Sequence, residues 1–506
     1  MKNLLLVTLL FPFIFFGQQT PEVEKIWLKK DVNLHTSEKS FMFFELDSLL
    51  NKDSSKIQFK ILPDEIFNLN VYKNGTTGFT FQEGLTSTLT GNIKDKVSCI
   101  FDLRLGTSNQ SIIPYTSIFQ TKSFFFENIK VLNPFTAYSI YGDIRGRIQY
   151  KPNSILTFTT GIDRITFGEG DRSLFLGNQG VPAPFASLKA KFGKLEYSFI
   201  QQIWRERSGN HYSPKGNATH YLSFNPSKKW NFSIFETVVY QMKDTLYNRG
   251  FEVEYLNPVI FYRPQEYNMG SADNILLGLH FSYKHANAMF YGQVLIDDFL
   301  LSAFQKQNGW WSNKYGLQVG LKGWKTLQNS CQIFYRTEFN LVRPYTYSQK
   351  SPDVVLGNQG LPVAHPLGSN FIELYQEVSF HFQKWSYEFW GQGFLKGSDY
   401  FSSGNNVSFG GDIYRPYNLH PYEYENTIGQ GKTRHTLQVG AYISRKIKYE
   451  RILFELIKLP KLFQCDNVSF FIEPKARFSN VEDEVYSNFY LTVGAIKTLG
   501  RERRNY

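Results

Sequence analysis

Two arginines stand directly before prolines, Arg263-Pro264 and Arg343-Pro344, in stretches crowded with tyrosine: Tyr262 and Tyr267 around the first, Tyr345 and Tyr347 after the second. A proline disfavours the helical region for the residue before it, so both arginines read as extended backbone. A guanidinium held there can offer forked hydrogen bonds to a uronate or another anion. The tyrosine rings present flat apolar faces with a hydroxyl at the tip, which suits a sugar ring. The same rings also suit a membrane-interface girdle or plain loop packing, and the two readings stand level.

Other chemistry is hard to find. The chain has no GxSxG, no HExxH and no phosphate-binding P-loop. Gly168-Glu-Gly170 lacks the rest of a dinucleotide fingerprint, and the nine histidines show no metal-ligand spacing with one another or with a cysteine. Asp297 and Asp298 are adjacent, and adjacent residues of a strand point to opposite faces. Cys99, Cys331 and Cys465 lie far apart and form no CxxC pair. No cofactor and no metal is expected. A catalytic triad is assembled in space, so missing motifs do not by themselves exclude a hydrolase.

The elements that carry these residues announce themselves by alternation. Tyr315, Leu317, Val319 and Leu321 fall on one face of a strand, and Gly316, Gln318, Gly320 and Lys322 fall on the other. Segments of this kind recur from about residue 76 to 499. They follow an apolar run, Leu4–Phe16, that fits a secretory signal and is too short to span a bilayer as a helix. Aromatic residues make up 17% of the chain, with 31 Tyr and 47 Phe. The expectation is an all-β, transmembrane outer-membrane antiparallel β-barrel of about 16–18 strands, apolar toward lipid and polar toward the lumen. Its domains are a signal peptide at 1–17, a small N-terminal periplasmic segment at 18–75 with one short helix near Phe41–Leu50, and the barrel at 76–506. The first strands are expected at 76–84 and 86–93, and a short one at 251–256.

The net charge of +11 is read as facing anionic lipid headgroups or an acidic polysaccharide, not nucleic acid, because the chain is exported. Residues 165–183, 206–217, 257–274, 343–370 and 398–433 are rich in turn residues and read as loops, the usual place for recognition. One echo links two of them: Leu176-Gly-Asn-Gln-Gly-Val-Pro182 and Leu356-Gly-Asn-Gln-Gly-Leu-Pro362. It marks either two similar loops facing each other across a mouth or a coincidence of turn residues. Arg336, Glu338, Glu373, Glu377, Glu388, Gln293 and Asp297 sit on polar strand faces. They form either a polar, saccharide-contacting wall or an ion-pair network that closes and stiffens the lumen, and the ion-pair network is the expectation. Glu236 shares its parity with Trp230, Phe232, Ile234, Val238 and Tyr240, so it needs a bulge, a rim position or a partner.

Three groups of segments resemble a known family. They are Phe167-Gly-Glu-Gly-Asp-Arg-Ser-Leu-Phe-Leu-Gly-Asn178 with Pro184-Phe185; Leu256-Asn-Pro-Val-Ile-Phe-Tyr-Arg-Pro-Gln-Glu-Tyr267 with Asp273-Asn274 and Tyr291–Phe299; and Trp310-Trp311, Asn313–Gly316, Val342–Tyr347 and Ala364–Asn370. Over roughly residues 140–400 the chain resembles the Wzi-type capsule-assembly family, and more closely its gliding-motility RemB-like branch. The resemblance implies an outer-membrane barrel, 18-stranded in the Wzi type, that holds exported polysaccharide at the cell surface, without catalytic activity or cofactor. It departs from the family at Asp171, where an aromatic is expected, at Gly177-Asn178-Gln179 in place of Ser-Asp-Asn, and in lacking room for an N-terminal helical bundle. The expected polysaccharide contacts are Arg172, Asn178, Arg263, Glu266, Tyr267, Arg343, Tyr345, Tyr347, His365 and Asn370. For His365 a structural hydrogen bond is the favoured role. Expected partners are surface polysaccharide, outer-membrane lipid, and the capsule or motility machinery. The competing functions are a passive porin and, behind it, an outer-membrane hydrolase.

Overall fold

The computed structural model describes residues 35, 37, 58–72, 77–93, 96–108, 139–178, 180–208, 211–243, 249–257, 273–327, 331–400, 407–448, 467–481 and 484–496. The expected signal peptide, the helix near Phe41–Leu50, Cys465 and the candidate contacts Arg263, Glu266 and Tyr267 lie outside them.

Eighteen strands form one closed antiparallel sheet. They are β1 (Gln58–Tyr72), β2 (Thr77–Ile93), β3 (Val97–Ser108), β4 (Ser139–Tyr150), β5 (Leu156–Asp163), β6 (Ala183–Phe192), β7 (Leu195–Ser208), β8 (His211–Phe224) and β9 (Trp230–Gln241). The second half is β10 (Asn274–His285), β11 (Ala288–Asp298), β12 (Lys314–Thr326), β13 (Gln332–Val342), β14 (Phe371–Phe382), β15 (Trp385–Ser398), β16 (Lys432–Lys448), β17 (Asn467–Val481) and β18 (Glu484–Ile496). Each strand pairs with its sequence neighbour, and β18 pairs back with β1, so no edge is left open.

Along β12, Leu317 and Leu321 are exposed while Gln318 and Lys322 are buried, so the alternation separates a lipid face from a lumen face. The lipid face continues through Leu279, Phe290, Phe339 and Leu374. Aromatic rings gather at the end of the wall that carries the short turns: Trp230 lies 4.4 Å from Tyr283, and Trp385 lies 5.8 Å from Tyr387. Such rings are at home at a membrane–water boundary. The chain is an outer-membrane β-barrel. Its short turns, among them 193–194, 286–287 and 383–384, share one rim with Gln58 and Ile496, the outer ends of the first and last strands, and this is the periplasmic rim. The long connections 164–182, 242–273, 299–313, 343–370 and 399–431 share the other, extracellular rim.

Four expectations need correction. The barrel wall includes Gln58–Tyr72, ahead of residue 76; Pro63, Asp64 and Glu65 interrupt the alternation of β1 and hide it in the sequence. The segments at 76–84 and 86–93 are one strand, β2. Residues 206–217 are largely strand, with β7 and β8 pairing through Arg205↔Pro214. Residues 251–256 are not a strand; Val253–Leu256 is a single turn of 3-10 helix.

Glu236 has a partner. It faces His220 across the β8–β9 register, with Nδ1 and Oε2 3.6 Å apart, and both side chains are buried.

Candidate functional site

An 18-stranded sheet by itself leaves an aqueous channel. Here the segment 164–182, between β5 and β6, turns into the lumen and docks on the facing wall of β11–β14. Lys322 donates to the Glu169 carboxylate at 2.8 Å and to the Glu169 carbonyl at 2.9 Å. Arg336 reaches Asp171 at 3.2 Å, and the Asp171 N–H donates to Glu338 at 2.6 Å. Arg172 pairs with Glu373, and both side chains have no exposure. Gln293 accepts from the Leu174 N–H at 2.8 Å. The charges on the strand faces are therefore answered by a loop, and the network closes this part of the lumen instead of lining a path through it. Asp171, where the resemblance led to the expectation of an aromatic, is one of its members.

Beside this polar layer the lumen holds an apolar core. Phe167 stacks on Tyr221 at 4.3 Å and Phe175 on Phe235 at 4.5 Å, with Trp204, Leu276, Leu295, Leu356 and Ile413 in the same cluster. Close packing of this kind excludes water. Gly168 marks the deepest turn of the loop: its φ of +101° favours glycine, and a Cβ there would collide with the Gln293 amide. Its N–H donates to the Ser37 carbonyl at 2.6 Å. His35 and Ser37 are themselves buried against Ser223 and Asn231 of β8 and β9. These two residues of the expected periplasmic segment thus sit inside the barrel wall.

The two echo segments meet. The Gly177 N–H donates to the Val363 carbonyl at 2.7 Å, and the Asn358 amide donates to the Val181 carbonyl at 3.2 Å. Small residues are required because Gly177 lies flat against the Ala364 carbonyl.

The expected contact residues separate into two groups. Arg172, Tyr347 and His365 belong to the lumen. Tyr347 donates through its hydroxyl to the Leu174 carbonyl at 2.9 Å, and its N–H donates to Asp297 at 2.8 Å. Arg343, Tyr345 and Asn370 tie the loop 343–370 to the loop 399–431. The Tyr345 hydroxyl donates to the Ser408 carbonyl at 2.9 Å; Asn370 accepts from the Gly429 N–H at 2.7 Å and donates to the Gln430 carbonyl at 3.0 Å. Tyr345, Tyr347 and Asn370 all have positive φ, a strain of about 1–3 kcal/mol each that only dense surroundings sustain. Arg172, Tyr345, Tyr347, His365 and Asn370 have essentially no exposure, so in this conformation they position loops and cannot touch an external polymer. Arg343 is half-buried and spans to the Trp310 and Asn426 carbonyls, and Asn178 is half-buried beside the echo contact.

His365 shows how tightly the lumen is specified. Its Nε2 lies 2.9 Å from Glu373, and its Nδ1 accepts from the Leu367 N–H at 3.2 Å. Only the neutral Nε2–H form makes both bonds. Burial pushes this imidazole below its ordinary value, against the pull of Glu373 and with the help of Arg172 and Lys396. The unfolded chain takes up a proton near pH 6.5 and the folded chain resists it, so the contribution is full above that pH and is lost as pH falls below it. The midpoint of heat-induced unfolding, followed by gel mobility, should drop between about pH 6.5 and 5, and His365→Gln should flatten that limb. An unchanged profile in the variant would assign the drop to other groups.

Accessible chemistry lies on the extracellular rim, where Trp310-Trp311 of the third resembling group meet residues 417–425 of the loop 398–433. Residues 308–311 run alongside 423–426: the Trp311 N–H donates to the Glu423 carbonyl at 3.0 Å and the Glu425 N–H to the Asn308 carbonyl at 2.8 Å. Trp311 stacks on His420 at 4.3 Å and meets Tyr417 at a tilt, 5.0 Å between ring centres. The Glu423 carboxylate accepts from the Trp311 indole at 3.0 Å and meets His420 Nε2 at 3.0 Å; the His420 bond holds it below the usual carboxylate range. Tyr422 and Tyr424 project from this support, 60% and 53% exposed. The run Pro421-Tyr-Glu-Tyr-Glu425 was the available signal, alternating aromatic and acidic residues within a loop. Among the described residues, no group of three or more His, Cys, Asp or Glu could hold a metal ion.

No protein-family model matches the chain, and no curated protein matches it. Among solved structures it is similar to Wzi of Escherichia coli, an outer-membrane protein involved in group 1 capsule assembly and described as a carbohydrate-binding β-barrel: 13% identity, 93% of this chain and 96% of that one covered, TM-score 0.54. It also matches OccAB1 of Acinetobacter baumannii (10% identity, 88% and 97% covered, TM-score 0.44) and OprD of Pseudomonas aeruginosa (9% identity, 88% and 97% covered, TM-score 0.42). At these identities the likeness is one of fold.

Proposed function

We propose that this barrel is a non-enzymatic receptor for exported polysaccharide, retaining capsule or slime at the cell surface. The observation that carries the reading is the braced aromatic shelf of Trp310, Trp311, Tyr417, Tyr422 and Tyr424 on the extracellular rim. Sugar rings stack on such faces, and the shelf is held by hydrogen bonds that do not need the ligand, so little ordering entropy is lost on binding. The likeness in fold to a carbohydrate-binding barrel agrees with it. A part in gliding rests on the resemblance of the three sequence segments alone.

The loop contacts first expected from the sequence keep an indirect role: Arg343, Tyr345 and Asn370 join the loops that present the shelf, while Arg172, Tyr347 and His365 fix the loop inside the lumen. A passive porin needs an open channel, and the loop 164–182 opposes that across the β11–β14 side. The test is a titration of the detergent-purified barrel with the surface polysaccharide of the cells that make it. Saturable binding is expected. No binding by a barrel shown to be folded would remove the proposal and leave the likeness as one of fold only.

A further inference from the structure

Two extracellular connections do not stay at the mouth; they fold over the outside of the barrel. In the first, Tyr255 of the 3-10 turn is fully buried and lies 5.0 Å from Tyr240, in a cluster with Ala218, Val238 and Ile275. Val238 and Tyr240 share the parity of Trp230 and Phe232, which are exposed on the lipid face, and Ile275 shares that of Leu277 and Leu279. Gln201, on the outward face of β7, donates to the Tyr255 carbonyl at 2.7 Å. The strap is locked in place by Arg249, which bonds Glu252 at 2.7 Å and Asp273 at 3.1 Å, and by the Tyr255 hydroxyl, which donates to Asp273 at 2.7 Å. In the second connection, Phe299 precedes the short helix Leu301–Gln305 and Phe304 lies within it, and each ring lies 6.1 Å from Tyr315, on the lipid-facing side of β12.

Both segments turn apolar side chains away from the protein. Phe251, Val253 and Leu256 are 42%, 65% and 44% exposed, and Leu300, Leu301 and Phe304 are 47%, 58% and 48% exposed. In water this would be a costly surface with no function at the mouth. Its position decides its occupant: although the exposed Glu254, Ser302 and Gln305 interrupt it, it lies beside Tyr315, Leu317 and Leu321 and continues the face of the barrel that already contacts lipid.

We infer that Phe251, Val253 and Leu256 of the first segment and Leu300, Leu301 and Phe304 of the second form an apolar collar in the outer leaflet, taking lipid acyl chains against the outside of β7–β12. The collar divides the loop 299–313 between two environments, with Phe299–Phe304 in lipid and Trp310-Trp311 at the aqueous rim. It would hold the shelf at a fixed height above the membrane.

The test uses the full chain with its three cysteines replaced by serine and a nitroxide placed singly by Val253→Cys or Leu301→Cys, in phosphatidylcholine liposomes. Leu279→Cys, at a lipid-facing position on β10, and Glu425→Cys, on the extracellular rim, are the references. Collision with oxygen should match that at position 279, and collision with a water-soluble nickel chelate should be lost relative to position 425. Nickel access equal to that at 425 would place the segments in water and overturn the proposal. Shielding from both reagents, with spin–spin broadening at full labelling, would assign the surface to a second copy of the chain and overturn it equally.

Discussion

Arg172→Ala should open the barrel. In the native chain, Arg172 brings a cation across the lumen to Glu373, a carboxylate that also accepts from Asn340 at 2.8 Å and from Gln392 at 2.6 Å. Its guanidinium stacks 4.6 Å from the Tyr375 ring. Removing one member of a buried pair leaves the other charge uncompensated, at a cost of about 3–5 kcal/mol. The barrel wall, closed by backbone hydrogen bonds around the full circuit, can survive that loss. The loop 164–182 has less to hold it and should leave the wall for water. Planar-bilayer recording should therefore show little conductance for the native protein and stable, larger steps for the variant. Heat-modifiable gel mobility would verify that the variant is folded. Arg172→Met combined with Glu373→Met provides the control, because an apolar replacement of both partners leaves no stranded charge and should restore a closed lumen. Large native conductance, or a variant indistinguishable from native, would show that the loop is not the seal.

The wall of this barrel could be read from its sequence because a lipid face and a lumen face impose a period of 2 on any strand that has both. β12 is legible for that reason, since Leu317 and Leu321 must meet lipid while Gln318 and Lys322 must not. β1 was not, since Pro63, Asp64 and Glu65 obscure the period. The plug is a different kind of object. Leu174, Phe175 and Leu176 form a consecutive apolar run with no period, and nothing local distinguishes a loop that folds inward from one that points outward. Its partners are remote: Arg172 and Glu373 are 201 residues apart. The two readings of the strand charges differed only in whether such a partner existed. The echo of Leu176–Pro182 in Leu356–Pro362 was the sole trace of the contact, and it becomes meaningful only when Asn358 is seen to reach Val181. The arginines and tyrosines singled out for their chemistry were mostly conscripted into this interior, because a buried anion or carbonyl needs the same donors as a sugar acid does.

Replacing Tyr422 and Tyr424 by alanine should abolish most polysaccharide binding without touching the fold. Both side chains are more than half exposed, and their support is made by backbone bonds and by the Trp311–His420–Glu423 brace, none of which uses their rings. Well-packed aromatic anchors typically lose about 1–2 kcal/mol or more on truncation, so each single variant should bind about 5- to 30-fold more weakly. The double variant should fall further, toward the product of the two if the rings contact separate sugars. Trp311→Ala should cost as much by another route: it removes the ring packed on His420 and Tyr417 and one of the two side-chain partners of Glu423, which loosens the segment 423–426 that carries the two tyrosines. Arg343→Ala separates presentation from contact. Its guanidinium touches the Trp310 and Asn426 carbonyls and lies 5.6 Å from the Tyr315 ring, so its loss should weaken binding only by loosening the shelf. Calorimetric titration of the five variants ranks them. If the tyrosine variants bind like the native protein while Arg343→Ala does not, the anion-fork reading of that arginine is restored and the shelf is not the site.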